Sequence, residues 1–167
     1  MSADHQHFAV TKIRPEHVSE LKGLLYRVWY LSYITALGQS LIDQLTSELH
    51  TIEKLTAELH NTQKASLGVF QTGKLIGHAL TVRQPPETNY IGRLYVDPSY
   101  QRIGVGQALL NAAETAFDCR VATLEVFHSS NNAVRFYRRN GYVQIGRHRS
   151  AHAVPTELFD LQFSKTL

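Results

Sequence analysis

A single cysteine, Cys119, leaves the chain unable to close an internal disulfide, which suits a reducing compartment. At a helix end it reads as a small hydrophobe rather than a nucleophile. No apolar run approaches the roughly 20 residues that cross a bilayer. The opening Met1-Ser-Ala-Asp-His-Gln-His7 lacks the basic-then-apolar order of a secretion signal. A cytoplasmic location and no membrane partner are therefore expected. Repeats and low-complexity linkers are absent too, so residues 1–167 are expected to form one domain with a real core. Charge of one sign is also scarce. A net charge of +3 is too small to argue for nucleic acid, and no such partner is expected.

Basic charge is unevenly spread. Residues 1–64 carry six Lys/Arg against seven Asp/Glu, whereas residues 65–167 carry eleven against seven. The basic half contains the stretch that organises the chain, Ile91-Gly-Arg-Leu-Tyr-Val-Asp-Pro-Ser-Tyr-Gln-Arg-Ile-Gly-Val-Gly106. Leu94, Tyr95 and Val96 read as a strand stopped by Asp97-Pro98. Gln101-Arg-Ile-Gly-Val-Gly106 then runs into the apolar-periodic Ala108-Leu-Leu-Asn-Ala-Ala113. Glycines at 104 and 106 free the backbone to turn and leave N–H groups at a helix start, a site for phosphate. Arg102 adds a positive charge beside it.

Around that centre, Phe8–Arg14 reads as a strand and Pro15 as a helix start, with Val18, Leu21, Leu24, Leu25 and Val28 at helical spacing. Tyr26, Trp29, Tyr30 and Tyr33 cluster near the end of that helix, either as core or as the wall of an acceptor pocket. Residues 34–61 carry an amphipathic helical seam (Leu41, Leu45, Leu49, Ile52, Leu55, Leu59), with a break expected near His50 and a capping signal at Thr51. The seam serves internal packing or a homodimer contact. Residues 64–70 and 75–82 form a hairpin around Gln71-Thr-Gly-Lys74. After the helix 105–117, Val121–Phe127 reads as a buried strand. Ser129, Ser130 or Asn131 caps a short helix ended by Gly141. Tyr142–Ile145 and Leu158–Phe163 are the last strands.

The spacing Gln/Arg-x-x-Gly-x-Gly, with Leu-Tyr-Val-Asp-Pro before it, resembles the pyrophosphate loop and fourth strand of the GNAT superfamily of acetyl-CoA-dependent N-acyltransferases. A second stretch, Asn132-Ala-Val-Arg-Phe-Tyr137-x-x-x-Gly-Tyr142, resembles that family's N-x-x-A-x-x-x-Y-x-x-x-G-F/Y signature, with the alanine one place early at Ala133. The resemblance implies an α/β fold with a mixed, largely antiparallel central sheet flanked by helices, in the order β-α-α-β-β-β-α-β-α-β-β. It implies acetyl-CoA as co-substrate, held by Leu94, Tyr95, Val96, Arg102, Ile103, Gly104, Val105, Gly106 and Gln107, with Asn132 and Tyr137 on the pantetheine arm and thioester. No metal is implied. Trp29, Tyr30, Tyr33 and Tyr90 are the acceptor-binding candidates.

For catalysis the resemblance implies that the backbone N–H of Val96 meets the oxyanion where the strand bulges near Tyr95, and that Tyr137 meets the leaving thiolate. A lysine-type amine, pKa about 10.4, must lose a proton before it attacks. The family's fourth-strand carboxylate is missing, because Tyr90 and Gly92 stand where it belongs. Glu125, His128 or a water chain remain as the base. Weaker likenesses in Glu58-Leu-His-Asn61, Gly73-Lys-Leu-Ile-Gly77 and Asp160-Leu-Gln-Phe-Ser-Lys165 are similar to bacterial spermidine/spermine N-acetyltransferases. They imply a polyamine-like acceptor attracted by Asp43, Glu48, Glu53 and Glu58. An amino acid, a peptide N-terminus or lysine, and a non-catalytic acyl-CoA sensor are the alternatives. Arg147 or Arg149 would serve an acceptor that bears a carboxylate.

Overall fold

The computed structural model describes residues 8–150 and 159–167. Seven strands form one sheet: β1 (Val10–Lys12), β2 (Lys64–Gln71), β3 (Lys74–Gln84), β4 (Thr88–Val96), β5 (Val121–Phe127), β6 (Val143–Arg149) and β7 (Phe159–Thr166). Their order across the sheet is β1-β2-β3-β4-β5-β7-β6, antiparallel throughout except for β4 against β5. The mixed, largely antiparallel sheet flanked by helices is the fold class that the family resemblance implies.

Five helices cover the sheet: α1 (Val18–Leu37), α2 (Gln39–Leu49), α3 (Ile52–Leu59), α4 (Val105–Glu114) and α5 (Asn131–Arg139). Alternation along the strands sends neighbours to opposite faces. Ile76 joins Leu109, Leu110, Val134 and Tyr137 under α4 and α5, whereas the adjacent Leu75 joins Leu21, Leu24, Leu25 and Leu55 under α1 and α3.

Three helices, not two, separate β1 from β2. Gly38 has φ 76° and ψ 160°, which ends α1 and starts α2 where the spacing alone suggests continuity. The break at His50 and the cap at Thr51 stand where expected, with the Thr51 side chain accepting from the Lys54 N–H at 3.1 Å. Of the seam residues in α2 and α3, Leu45 and Leu55 are buried, Leu41, Leu49 and Leu59 are half-buried, and Ile52 is exposed. Helix α5 closes in a Schellman motif on Gly141: the Gly141 N–H donates to Arg138 O (3.1 Å) and the Tyr142 N–H to Tyr137 O (3.1 Å).

Two histidines are buried beneath α3. His78 in β3 shares a hydrogen bond with the Ser66 hydroxyl at 2.9 Å, and His50 packs edge-on against Trp29 with 5.6 Å between centroids. Burial first, and the neighbouring Arg93 charge second, lower His50 from an ordinary 6.5 to about 4 and push His78 down as well. Both fold as neutral rings, so the unfolded chain binds more protons below pH 6.5. Stability should therefore fall as pH drops from about 6.5 toward 4. The His50 share is about 3 kcal/mol, at roughly 1.4 kcal/mol for each tenfold loss of proton affinity on folding. Urea titrations from pH 7 to 4 should show a shallower loss in His50→Asn than in the parent. Parallel curves would count against the assignment.

Candidate active site

The site begins where the sheet splits. β4 pairs with β5 only from Thr88↔Val121 to Ile91↔Leu124, whereas β3 follows β4 all the way to Val96. The cause lies in the β3 register: Leu80 pairs with Arg93 and Thr81 with Ile91, so Gly92 is an extra residue. Such a bulge bends and twists its strand. The opening therefore starts at Gly92, earlier than the expected bulge near Tyr95. Beyond it, the Asp97 N–H donates to Ile76 O at 2.9 Å. Antiparallel alternation then leaves Gly77↔Val96 and Ala79↔Leu94 as the pairs without interstrand bonds. The N–H groups of Leu94 and Val96 accordingly point into the split.

The turn after β4 aims a helix at the same place. Asp97, 6% exposed, accepts the Ser99 N–H on Oδ1 (3.1 Å) and meets Arg27 (3.5 Å) and Lys74 (3.7 Å) on Oδ2. Arg102 (φ 63°) and Gly104 (φ 102°) are both left-handed and swing the chain into α4. Gly104 is the N-cap and carries no side chain to satisfy the helix start. The N–H groups of Val105, Gly106 and Gln107 thus lack a capping oxygen. A Cβ on Gly106 would meet Val96 Cγ2 at 3.7 Å and Phe136 at 3.8 Å, ordinary contact distances, so this corner has room for a small side chain. Arg102 and Ile103 are exposed, and Arg102 makes no ion pair among the described residues. The Gln107 amide donates to Asn111 (2.9 Å) and Asn140 (2.7 Å), which ties α4 to α5.

Tyr137 comes from α5 and is buried, its ring edge-on to Phe136 and Tyr142. Burial first, then the neighbouring Tyr95 phenol, raise its pKa well above the usual tyrosine value. Its hydroxyl therefore keeps its proton through the neutral range. Asn132, one turn earlier, is exposed and its Oδ1 accepts from Arg135 at 2.6 Å.

On the opposite face the split opens into a cavity of about 190 Å³ between the sheet and helices α1 and α2. Trp29 and Tyr33 line it in edge contact, 5.4 Å between centroids, and Tyr33 continues onto Phe127 at 5.5 Å. Tyr90 also lines it, pushed up to about 12 by burial and then by the Glu125 and Asp160 charges. Tyr30 does not; it stacks on Tyr26 at 6.2 Å. Among the expected acceptor residues, three of the four are brought together.

Glu125 is the first β5 residue beyond the split, and its side chain shares a sheet face with those of Phe127, Asp160 and His148 through the pairs Phe127↔Asp160 and His148↔Asp160. His148 Nε2 lies 3.6 Å from Glu125 Oε1, and the Gln162 amide donates to the same oxygen at 3.4 Å. Ligand atoms of Glu125, His148 and Asp160 all fall within 4.8 Å of one another. His128 is used differently: its Nδ1 takes the Phe159 N–H at 3.2 Å and ties β5 to the start of β7.

The acids of α2 and α3 stand elsewhere. Asp43 accepts from Tyr26 (2.9 Å) beside a separate groove, Glu48 from Gln44 (3.1 Å), and Glu53 is exposed. Glu58 forms an ion pair with Arg93, the two side chains 12% and 11% exposed. Asp160 and His148 escaped the sequence reading because strand pairing, not proximity in sequence, brings them to Glu125. Replacing Gly104 by Val should cost about 1–2 kcal/mol from its left-handed φ alone. Thermal unfolding checks this, and a neutral result would mean that the turn refolds around the side chain.

The sequence matches the acetyltransferase (GNAT) domain family over residues 34–156, and the chain belongs to that family of acetyltransferases. Solved structures agree on the fold. The PaiA N-acetyltransferase from Thermoplasma acidophilum, solved with coenzyme A, has a TM-score of 0.83 at 21% identity, over 97% of this chain and 100% of that one. A GCN5-related N-acetyltransferase from Rhodopseudomonas palustris has a TM-score of 0.77 at 22% identity, over 100% of both chains. The ribosomal-protein-S18-alanine N-acetyltransferase from Escherichia coli has a TM-score of 0.71 at 16% identity, over 96% and 94%. No helix among the described residues is long and apolar enough to cross a membrane.

Proposed function

We propose that the protein transfers an acetyl group from acetyl-CoA to a primary amine that enters from the cavity under α1 and α2. The split between β4 and β5, with two inward N–H groups on one side and an uncapped helix start beside it, carries this reading. The glycine-turned start of α4 fits a pyrophosphate: bare N–H groups, a helix dipole and Arg102 all favour negative charge there. Leu94, Tyr95, Val96 and residues 102–107 would hold the nucleotide end and the arm, with Asn132 beside them. When bound, acetyl-CoA supplies an activated acyl thioester with a thiol as leaving group.

The chain's own groups divide the remaining work. Val96 N–H donates to the carbonyl oxygen as negative charge gathers on it. Glu125 accepts the proton that the ammonium must lose, and its place at the vertex of the split supports that role. Tyr137, held protonated, donates a hydrogen bond to the departing sulfur rather than a full proton. Trp29, Tyr33 and Tyr90 wall the acceptor.

At a hundred times its dissociation constant, acetyl-CoA should stabilise the fold by about 2.7 kcal/mol. That corresponds to a melting shift of roughly 5–10 °C for a domain of this size. Thiol release should require an added amine. An unshifted melting curve in millimolar acetyl-CoA would sink the proposal.

Tyr137→Phe separates donation from packing. A hydrogen bond to a charged partner is worth about 1.5–3 kcal/mol, so kcat should fall roughly 10- to 100-fold. Acetyl-CoA affinity should stay within about twofold, because the bond strengthens only as charge develops. Unchanged turnover with chemistry rate-limiting would return Tyr137 to a packing role.

A further inference from the structure

The cavity carries information about the acceptor beyond its being an amine. Its described lining holds two carboxylates, Glu125 and Asp160, and no lysine or arginine. The acid oxygens lie within 4.8 Å of each other and of a His148 ring nitrogen, so they converge on one small site rather than on two spaced along a chain. Much of the remaining wall is apolar or aromatic, with Trp29, Leu37, Leu45 and Phe127, while Ser150 and the tyrosines Tyr33, Tyr90 and Tyr95 add hydroxyl-bearing side chains. At about 190 Å³ the space is below the roughly 300–1,000 Å³ of pockets for drug-sized ligands.

The groups that would favour other acceptors are turned away or occupied. Arg147 pairs across the sheet with Leu161, and Arg149 with Phe159, so both arginines lie on the face opposite His148 and Asp160. The Arg147 guanidinium sits 3.8 Å over the Phe159 ring. Neither is placed to receive an acceptor's carboxylate. A second ammonium fares no better, because Glu58 is held by Arg93 and Asp43 by Tyr26. Inside this cavity it would be buried without a partner, which is costly.

We infer that the acceptor is a compact primary monoamine with an apolar body and no carboxylate, of the alkylamine or arylalkylamine class. This rests on the acetyltransferase reading. Its ammonium sits between Glu125 and Asp160, and its body packs against Trp29, Leu37 and Phe127. Glu125 takes one ammonium proton, the freed nitrogen bonds to the acyl carbon, the carbon–sulfur bond breaks, and the thiolate leaves. The second proton of the attacking nitrogen passes to solvent as the neutral amide forms. Asp160 holds charge without taking the proton. The polyamine-like acceptor thereby gives way to a singly charged one.

The test compares phenethylamine, phenylalanine and spermidine as acceptors at saturating acetyl-CoA, with acetyl-CoA binding followed separately by thermal shift. Phenylalanine adds only a carboxylate to phenethylamine. Repulsion of several kcal/mol from Glu125 and Asp160 should lower its kcat/KM by about a hundredfold or more. Spermidine should fall at least about tenfold below phenethylamine, through its buried extra charge. Asp160→Asn should raise the phenethylamine KM by about tenfold or more while leaving the acetyl-CoA shift intact. Glu125→Gln should act on kcat. Comparable kcat/KM for phenylalanine or spermidine, or an unchanged KM in Asp160→Asn, overturns the acceptor class and leaves the acetyltransferase reading in place. A protein that melts identically with and without acetyl-CoA overturns that reading instead.

Discussion

Gly92 occupies a position in β4 that has no counterpart in β3, and this one surplus residue sets the geometry of the site. A strand with an extra residue twists away from its neighbour, so β4 leaves β5 after Ile91 and Leu124. Backbone groups that a continuous sheet would consume are left to face a ligand. The same bulge resets the alternation: Tyr90 faces the α1 side before it, and Arg93 and Tyr95 face that side after it. Leu94 and Val96 are thereby turned toward α4, next to the uncapped start of that helix. An opened strand and a bare helix end are each costly alone. Placed together they form one concave, hydrogen-bonding surface.

Much of this was legible in the sequence because it is written in local chemistry. Gly104 and Gly106 mark the turn into α4. Gly141 marks the end of α5, and its Schellman bonds are formed as the residue types demand. Val121–Phe127 is apolar enough to fix a strand without help. Two features were not legible. The break at Gly38 sits inside a run of helical spacing, and an isolated glycine there is compatible with one helix or two. The grouping of Glu125, His148 and Asp160 arises from the order β5-β7-β6, which a linear pattern does not specify. The α2 and α3 acids show the converse. Their spacing is visible in the chain, but that Asp43 meets Tyr26 and Glu58 meets Arg93 depends on α1 and β4.

The polarity of the cavity depends on neutralising charges that do not line it. Arg93 lies on the same face as Tyr95, just past the bulge, and left unpaired it would oppose any cation held by Glu125 and Asp160. Glu58 from α3 meets it in a largely buried ion pair, which cancels the charge and also fastens the stretch of β4 that has lost β5. A pair so little exposed is weak evidence for added stability, because desolvation offsets much of the attraction. Its effect on position and potential is less ambiguous. His50 and His78, on the same side, stay neutral because burial and Arg93 both resist protonation. With Arg93 cancelled, His50 and His78 neutral, and Arg147 and Arg149 on the far face, Glu125 and Asp160 are the charged side chains among the described lining of the cavity. A domain of net positive charge thus presents a negative corner at the mouth of the split and a positive edge at the start of α4. On the proposed reading, an anionic acetyl-CoA and a cationic amine would approach one reaction centre from opposite sides of the sheet.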